Sequence, residues 1–332
     1  MNKKLTPALA CGAMLLLGSC SSSNSSNGAS SGPKAYVGLF GDDAVAVLDT
    51  TSYKVLKTIP VPTGPHGLVI TPDGAKVYVS SDGATTVSVI STSSDTVVKS
   101  IDVGMTPHGL SIAPDGSKIV LSDFGGDQAE VIDTTSDQVT AMISVGKPHN
   151  SAISPDGKLA FEGSQATMPA IAVIDLTTDK ITTSVALQQA PRALDYAHNT
   201  VYFTLAGVDS LQMLDPATDQ IGTPIPTGGS PHHMLATKDG AFELVVSQTV
   251  GDLEYVDPTS ASVVAHVPTG TTPHWIGLSS DGQFAYVTDE GSNDVAVVDI
   301  AAKSVVQTIA IGKAPRKIAV QPASAAQPSG YP

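Results

Sequence analysis

The stretch GPHGLVITPDGAKVYVSSDG, residues 64–83, decides the fold, because close variants of it return throughout the chain. The proline that opens it recurs at Pro65, Pro107, Pro148, Pro191, Pro231, Pro273 and Pro315, at spacings of 42, 41, 43, 40, 42 and 42 residues. So regular a period marks one supersecondary unit copied and stacked. In the first unit GLVIT reads as a strand and Pro-Asp-Gly as a tight turn, with Pro and Gly supplying the dihedrals the turn needs. KVYVS, TVSVIS and VVKSIDV follow as three more strands. Most alternate apolar residues with small or hydroxyl ones, as strands covered on both faces do. Four antiparallel strands in a unit of about 40 residues is the pattern of a β-propeller blade.

Two segments carry a family resemblance. QFAYVTDEGSNDVAVVDIAAKSVVQTIAIG, residues 283–312, is similar to the repeat of the YVTN β-propeller family, and AKVYVSSDGATTVSVISTSSDTVVKSIDVG, residues 75–104, is nearly as close. The resemblance extends from Lys34 to Pro322 and implies an all-β, seven-bladed propeller. It implies no single activity, since one fold hosts many. The chain ends say how the ring closes. The last unit supplies only a first strand, RKIAVQP, whereas KAYVGLF, AVAVLDT and KVLKTIPV after residue 33 supply strands two to four without a first. Together they make the seventh blade and remove the open edges of a linear stack.

Composition agrees. Charged residues are 14% and aromatics 5% of 332 residues, which disfavours long helices and favours short strands joined by turns. The net charge of −14 argues against nucleic acid as a partner, because phosphate binding needs a surplus of Lys and Arg. Residues 1–19 read as a signal peptide: a basic MNKK, then an apolar run too short for a comfortable span. LGSC, Leu17 to Cys20, resembles the lipobox of bacterial lipoproteins. That implies lipidation at Cys20 and, with Ser21 next, an outer-membrane address on the periplasmic side or the cell surface. Residues 20–33 then form a Ser-rich tether, 34–322 the propeller, and 323–332 a tail. Membrane contact is expected through the lipid alone, and the protein is expected to be a monomer.

The residue after each opening proline is His66, His108, His149, Arg192, His232, His274 or Arg316, and His233 adjoins one of them. Each falls in the connection that leads from an outer strand to the next blade's innermost strand. Such connections lie at the mouth of the central channel, so five of the eight histidines are expected to meet there. The loops between strands two and three, which share that face, add acids such as Asp82, Asp127, Glu290 and Asp294. Glu162, in KLAFEGS, reads as replacing the hydroxyl residue found at Ser80, Ser122, Thr204 and Thr288. Counting back across the Pro155-Asp156-Gly157 turn places it nearly opposite His149 and Asn150.

Three kinds of chemistry fit this face. The first is binding of a protein or small-molecule ligand, with Arg192, Arg316, His232, His233 and His274 suited to an anionic group. The second is a copper, zinc or iron site built from His66, His108, His149 and Glu162, because neutral imidazole is the commonest metal ligand. Met105 and Met168, in loops of the same face, would suit soft copper. The third is a lactonase- or lyase-like enzyme. There is no Gly-x-Ser-x-Gly, no mature cysteine and no His-Glu-x-x-His, so His149 with Glu162 is the only candidate acid–base pair. A purely structural role is a further reading, in which each His or Arg caps a strand entrance by hydrogen bonding. The aspartates that close strand three, from Asp49 to Asp299, recur too regularly for catalysis and are expected to bond the turn that follows.

Overall fold

The computed structural model describes Met1 and residues 33–323. The signal peptide, Cys20, most of the tether and the tail beyond Ala323 lie outside them. Seven antiparallel sheets succeed one another along the chain. The first runs Pro65–Ile70, Lys76–Ser81, Thr86–Ser91 and Thr96–Asp102. The seventh has the order Pro315–Val320, Lys34–Leu39, Ala44–Asp49 and Lys54–Pro60, so the two ends of the chain share one blade. Tyr36 stands opposite Ala319 and Val37 opposite Ile318. The closure read from the sequence is therefore correct.

One outer strand departs from the pattern. In the fourth blade it is split into Gln220–Ile221 and Ile225–Pro226. The intervening Gly222 and Pro224 explain the break, since proline lacks the amide the ladder needs and glycine weakens a strand.

Burial shows where the core sits. Second strands such as Lys76–Ser81 are buried along almost their whole length, while the outer strand Lys54–Pro60 buries Ile59 alone. Each apolar cluster spans two neighbouring blades: Tyr36, Val45, Val47 and Ile59 of the seventh pack against Leu68, Val77, Val79 and Ile90 of the first. The stabilising burial is thus between sheets, and a blade has no core of its own.

Polar latches tie the rims of these interfaces. Tyr36 Oη donates to Asp95 Oδ1 at 2.6 Å and Lys34 Nζ to Asp95 Oδ2 at 2.7 Å. Tyr78 and Lys76 make the same pair of bonds to Asp137 in the next blade. The strand-closing aspartates do what the repeat predicts: Asp49 Oδ1 accepts from the Thr51 and Ser52 amides, and Asp299 Oδ1 from that of Ala302.

Candidate functional site

The Pro-His pairs are part of the innermost strands, not of the connections before them. Pro65 and His66 open the strand Pro65–Ile70, and the other six units repeat this. A bulge follows at once: Pro65 pairs with Ser81 and Leu68 with Val79, so His66 and Gly67 together oppose Ser80. A bulge re-aims the side chain it carries. Gly67 is required because a Cβ there would lie 2.3 Å from the His108 carbonyl oxygen and 2.4 Å from Ser80 Oγ. Neighbouring inner strands therefore approach backbone to backbone, and their ring residues converge.

The convergence is close. The imidazole centroids of His66 and His108 are 3.7 Å apart with a 30° tilt, those of His108 and His149 4.3 Å apart, and those of His232 and His274 4.2 Å apart. His66 and His274, at 5.8 Å, join the two groups. His149 Nδ1 donates to the Arg192 carbonyl at 2.8 Å and His232 Nδ1 to the His274 carbonyl at 3.1 Å, which leaves each Nε2 lone pair available. These two bonds are also the strand-capping role, so the ring staples blades as well as presenting imidazoles. Asp82 Oδ1 lies 3.1 Å from His108 Nδ1. His66, His108 and Asp82 each offer a ligand atom, and the three atoms lie within 4.8 Å of one another. A cleft of about 270 Å³ beside them is lined by Asp82, Thr106, His108, Phe124, His149 and Gln165.

Burial sets the charge states. It holds His66, His108, His232 and His274 well below the ordinary imidazole range, helped by neighbouring imidazoles and guanidiniums, and it takes His149 down to about 4. The cluster is neutral at pH 7. Burial also pushes Asp82 up to about 6, against the pull of Arg316. The two arginines are already engaged. Arg316 bonds Glu290 Oε1 at 3.0 Å and lies 3.5 Å over the Phe40 ring, while Arg192 bonds Ser230 Oγ at 2.8 Å and Gln248 Oε1 at 2.7 Å.

The expectation for Glu162 fails by one residue. Val79 stands opposite Leu68 and Glu162 opposite Ser151, each partner being three residues after its proline. Glu162 thus aligns with Val79, Leu121, Phe203 and Val287, and Gly163 takes the hydroxyl position. Counting back across the Pro155-Asp156-Gly157 turn misses by one residue because Leu159, not Lys158, stands where Lys76 does: the Ser154 amide bonds the Leu159 carbonyl as that of Thr71 bonds the Lys76 carbonyl. In three blades the real hydroxyl position has the same use: Ser80 donates to the His108 carbonyl, Thr204 to that of His232 at 2.6 Å and Thr288 to that of Arg316, each in the next blade, whereas Ser122 is turned to Glu162. Glu162 faces back toward the preceding blade, where Ser122 Oγ donates to its Oε1 at 2.8 Å. Burial raises its carboxyl to about 8. The His149 ring bonds Arg192 instead, so the two residues do not form the expected acid–base pair.

Other candidates separate from the mouth. His233 stacks on Trp275 at 3.5 Å and accepts the Ile276 amide at Nδ1, one layer deeper. Met105 and Met168 are exposed and do not line the cleft. Sequence reasoning missed Lys317, two residues after the last proline, where other units carry Gly67, Gly109, Asn150, Ala193, His233 or Trp275. Its side chain is 3% exposed and crosses the channel to donate to the Leu110 carbonyl at 2.7 Å. The signal was available: it is the one cation at that repeat position.

Residues 35–158 match the family described as YNCE-like β-propeller. That match and the seven-bladed architecture are consistent with a YVTN-type propeller repeat protein. No curated protein sequence matches the chain. Among solved structures, the propeller is similar to Kuenenia stuttgartiensis hydrazine synthase, with 22% identity over 80% of this chain and 92% of that one at a TM-score of 0.74. The periplasmic gluconolactonase of Pseudomonas aeruginosa gives 17% identity, 87% and 99% coverage and a TM-score of 0.70. Apo AztD of Citrobacter koseri gives 15%, 87% and 97%, and 0.65. At these identities the likeness is one of fold, and the proteins named do different things on it.

Proposed function

We propose that this propeller is a binding protein, held outside the cytoplasm by a lipid on Cys20, and that its channel mouth takes one divalent transition-metal ion. Zinc and copper(II) suit a donor set of imidazole and carboxylate. The observation that carries the reading is the meeting of His66, His108 and Asp82 donor atoms within 4.8 Å of one another, with His149 edge-on beside His108. Donors bound at about 2.0–2.2 Å in a tetrahedral site stand roughly 3.5 Å apart. Small side-chain rotations would close that gap.

Electrostatics favour a cation over an anion. Deprotonated imidazoles are ready ligands and poor anion partners. The guanidinium of Arg316 is committed to Glu290 and Phe40, and the loop acids around the mouth would repel a free anion. The pair expected of His149 and Glu162 does not form, and Asp82 stands beside His108 among the donor atoms of the cation site, so this reading puts recognition ahead of catalysis.

The test is elemental analysis and zinc and copper titration of untagged full-length protein. About one ion per chain is expected, lost in His66→Ala and His108→Ala and retained in Glu162→Gln. Absence of bound metal together with no uptake at micromolar zinc or copper ends the proposal. For the anchor, Cys20→Ser should move the protein from the membrane to the soluble fraction; unchanged fractionation argues against lipidation there.

A further inference from the structure

Beneath the histidine mouth lies a second cavity of about 300 Å³, bounded by the later residues of the inner strands. Its walls include Leu68, Val69, Ile112, Ile153 and Leu235. Of these, Val69, Ile112, Ile153 and Leu235 are only half-buried although they lie on the innermost strands, as residues facing an open channel are. Lys317, Trp275, His233 and Asn150 also line it. Apolar walls around a few convergent polar groups are the usual make-up of a small-molecule site, and the volume is at the low end of the range of about 300–1,000 Å³.

The amine at this site is unusual. Lys317 Nζ makes one hydrogen bond, to the Leu110 carbonyl, and lies 4.3 Å from the centre of the Trp275 ring. Among the described residues no carboxylate ion-pairs with it directly; Glu162 acts on it through its field. An ammonium has three protons to place and here places one in a hydrogen bond. An uncharged amine needs fewer partners, and burial accordingly takes the group down to about 7. Desolvated lysines of this kind are nucleophiles toward carbonyl carbon.

We propose that the lower channel is a second site, separate from the metal mouth, in which the Lys317 amine captures a small apolar aldehyde or ketone as an imine. The Nζ lone pair attacks the carbonyl carbon to give a carbinolamine. Loss of the former carbonyl oxygen as water, with one proton from the nitrogen and one from solvent or a neighbouring acid, leaves a protonated C=N bond. No oxidant or reductant is involved. The aliphatic walls favour an alkyl group, and the Asp195 carboxyl among the lining residues disfavours a carboxylate-bearing ligand.

Butanal with cyanoborohydride at pH 7, followed by peptide mapping, tests this on the native full-length chain. Lys317 should be butylated at least tenfold faster than any surface lysine, because a far larger fraction of it is free amine. Ile112→Phe and Val69→Phe, which narrow the channel without touching the amine, should each slow that labelling. His66→Ala and His108→Ala should leave it unchanged, so the outcome is separate from that of the metal titration. The proposal is overturned if Lys317 stays unmodified in folded protein, if it reacts no faster than surface lysines, or if both channel-narrowing variants label like wild type.

Discussion

Ser122 of the second blade donates its hydroxyl to Glu162 Oε1 of the third at 2.8 Å, inside an interface where neighbouring units place apolar side chains. The carboxyl is fully buried, and desolvation raises it from 4.5 to about 8; the Ser122 and His149 backbone interactions offset only part of that shift. A group whose folded-state value is raised contributes stability that is fully present below the unfolded value and lost as pH rises through the folded one. The window is therefore from about pH 4.5 to about pH 8. Glu162→Gln should match wild type in melting temperature near pH 4 and exceed it increasingly up to pH 8, by up to about 1.4 kcal/mol per pH unit. A constant difference across that range would mean that the carboxyl is not protonated in the fold.

The latch at Asp137 allows a test of how blades are joined. One carboxylate accepts from both Tyr78 Oη and Lys76 Nζ of the preceding blade. Asp137→Ala leaves a buried phenol and a partly buried ammonium without that acceptor, and should destabilise the domain by about 2 kcal/mol. Tyr78→Phe in the same background should recover part of the loss, since it removes the stranded hydroxyl. If Asp137→Ala unfolds at the same denaturant concentration as wild type, the latch is a surface contact only.

How much of this was legible in the sequence depends on what repeats. The seven opening prolines and the Pro-Asp-Gly turns fixed blade number, strand order and ring closure, because a period of about 41 residues is a global signal that local errors do not disturb. The meeting of His66, His108 and His149 followed from the same period. What failed was local. A bulge after each opening proline shifts the ladder by one residue, and no composition cue marks it. The count back across the Pro155-Asp156-Gly157 turn was also one residue out and put Glu162 on the wrong face of its strand, where a one-residue slip reverses every side chain. Lys317 was overlooked because its role depends on reaching across the channel to Leu110, a contact between residues far apart in the chain.

Gly67 is where the ring is tightest. A methyl group there would overlap the His108 carbonyl oxygen at 2.3 Å, and a backbone atom cannot swing aside as a side-chain tip can. Gly67→Ala should push apart the first and second inner strands and lower stability by several kcal/mol, on the order of the worst overpacking substitutions. Gly207→Ala is a useful contrast. That glycine has a φ of +73° with nothing within 4 Å of the added Cβ, so its substitution tests backbone strain without overlap and should cost only about 1 kcal/mol. Equal losses in the two variants would mean that the inner strands do not meet so closely.

Asp82 separates two ways of building the metal mouth. Its Oδ1 is 3.1 Å from His108 Nδ1, so it either holds that ring while His108 Nε2 binds the ion or binds the ion itself. Asp82→Asn keeps a carbonyl oxygen that can accept from the imidazole N–H but removes the charge. If Asp82 orients His108, zinc affinity should fall by roughly 10–100-fold with the stoichiometry unchanged, as for other hydrogen-bond partners of metal-bound histidine. If the carboxylate is a ligand, Asp82→Asn should lose binding almost as completely as His66→Ala. Its closeness to both imidazoles, with all three donor atoms within 4.8 Å, favours direct ligation, so the larger loss is the expected result. Wild-type affinity in Asp82→Asn would remove the carboxylate from the site and leave a mouth built of histidines alone.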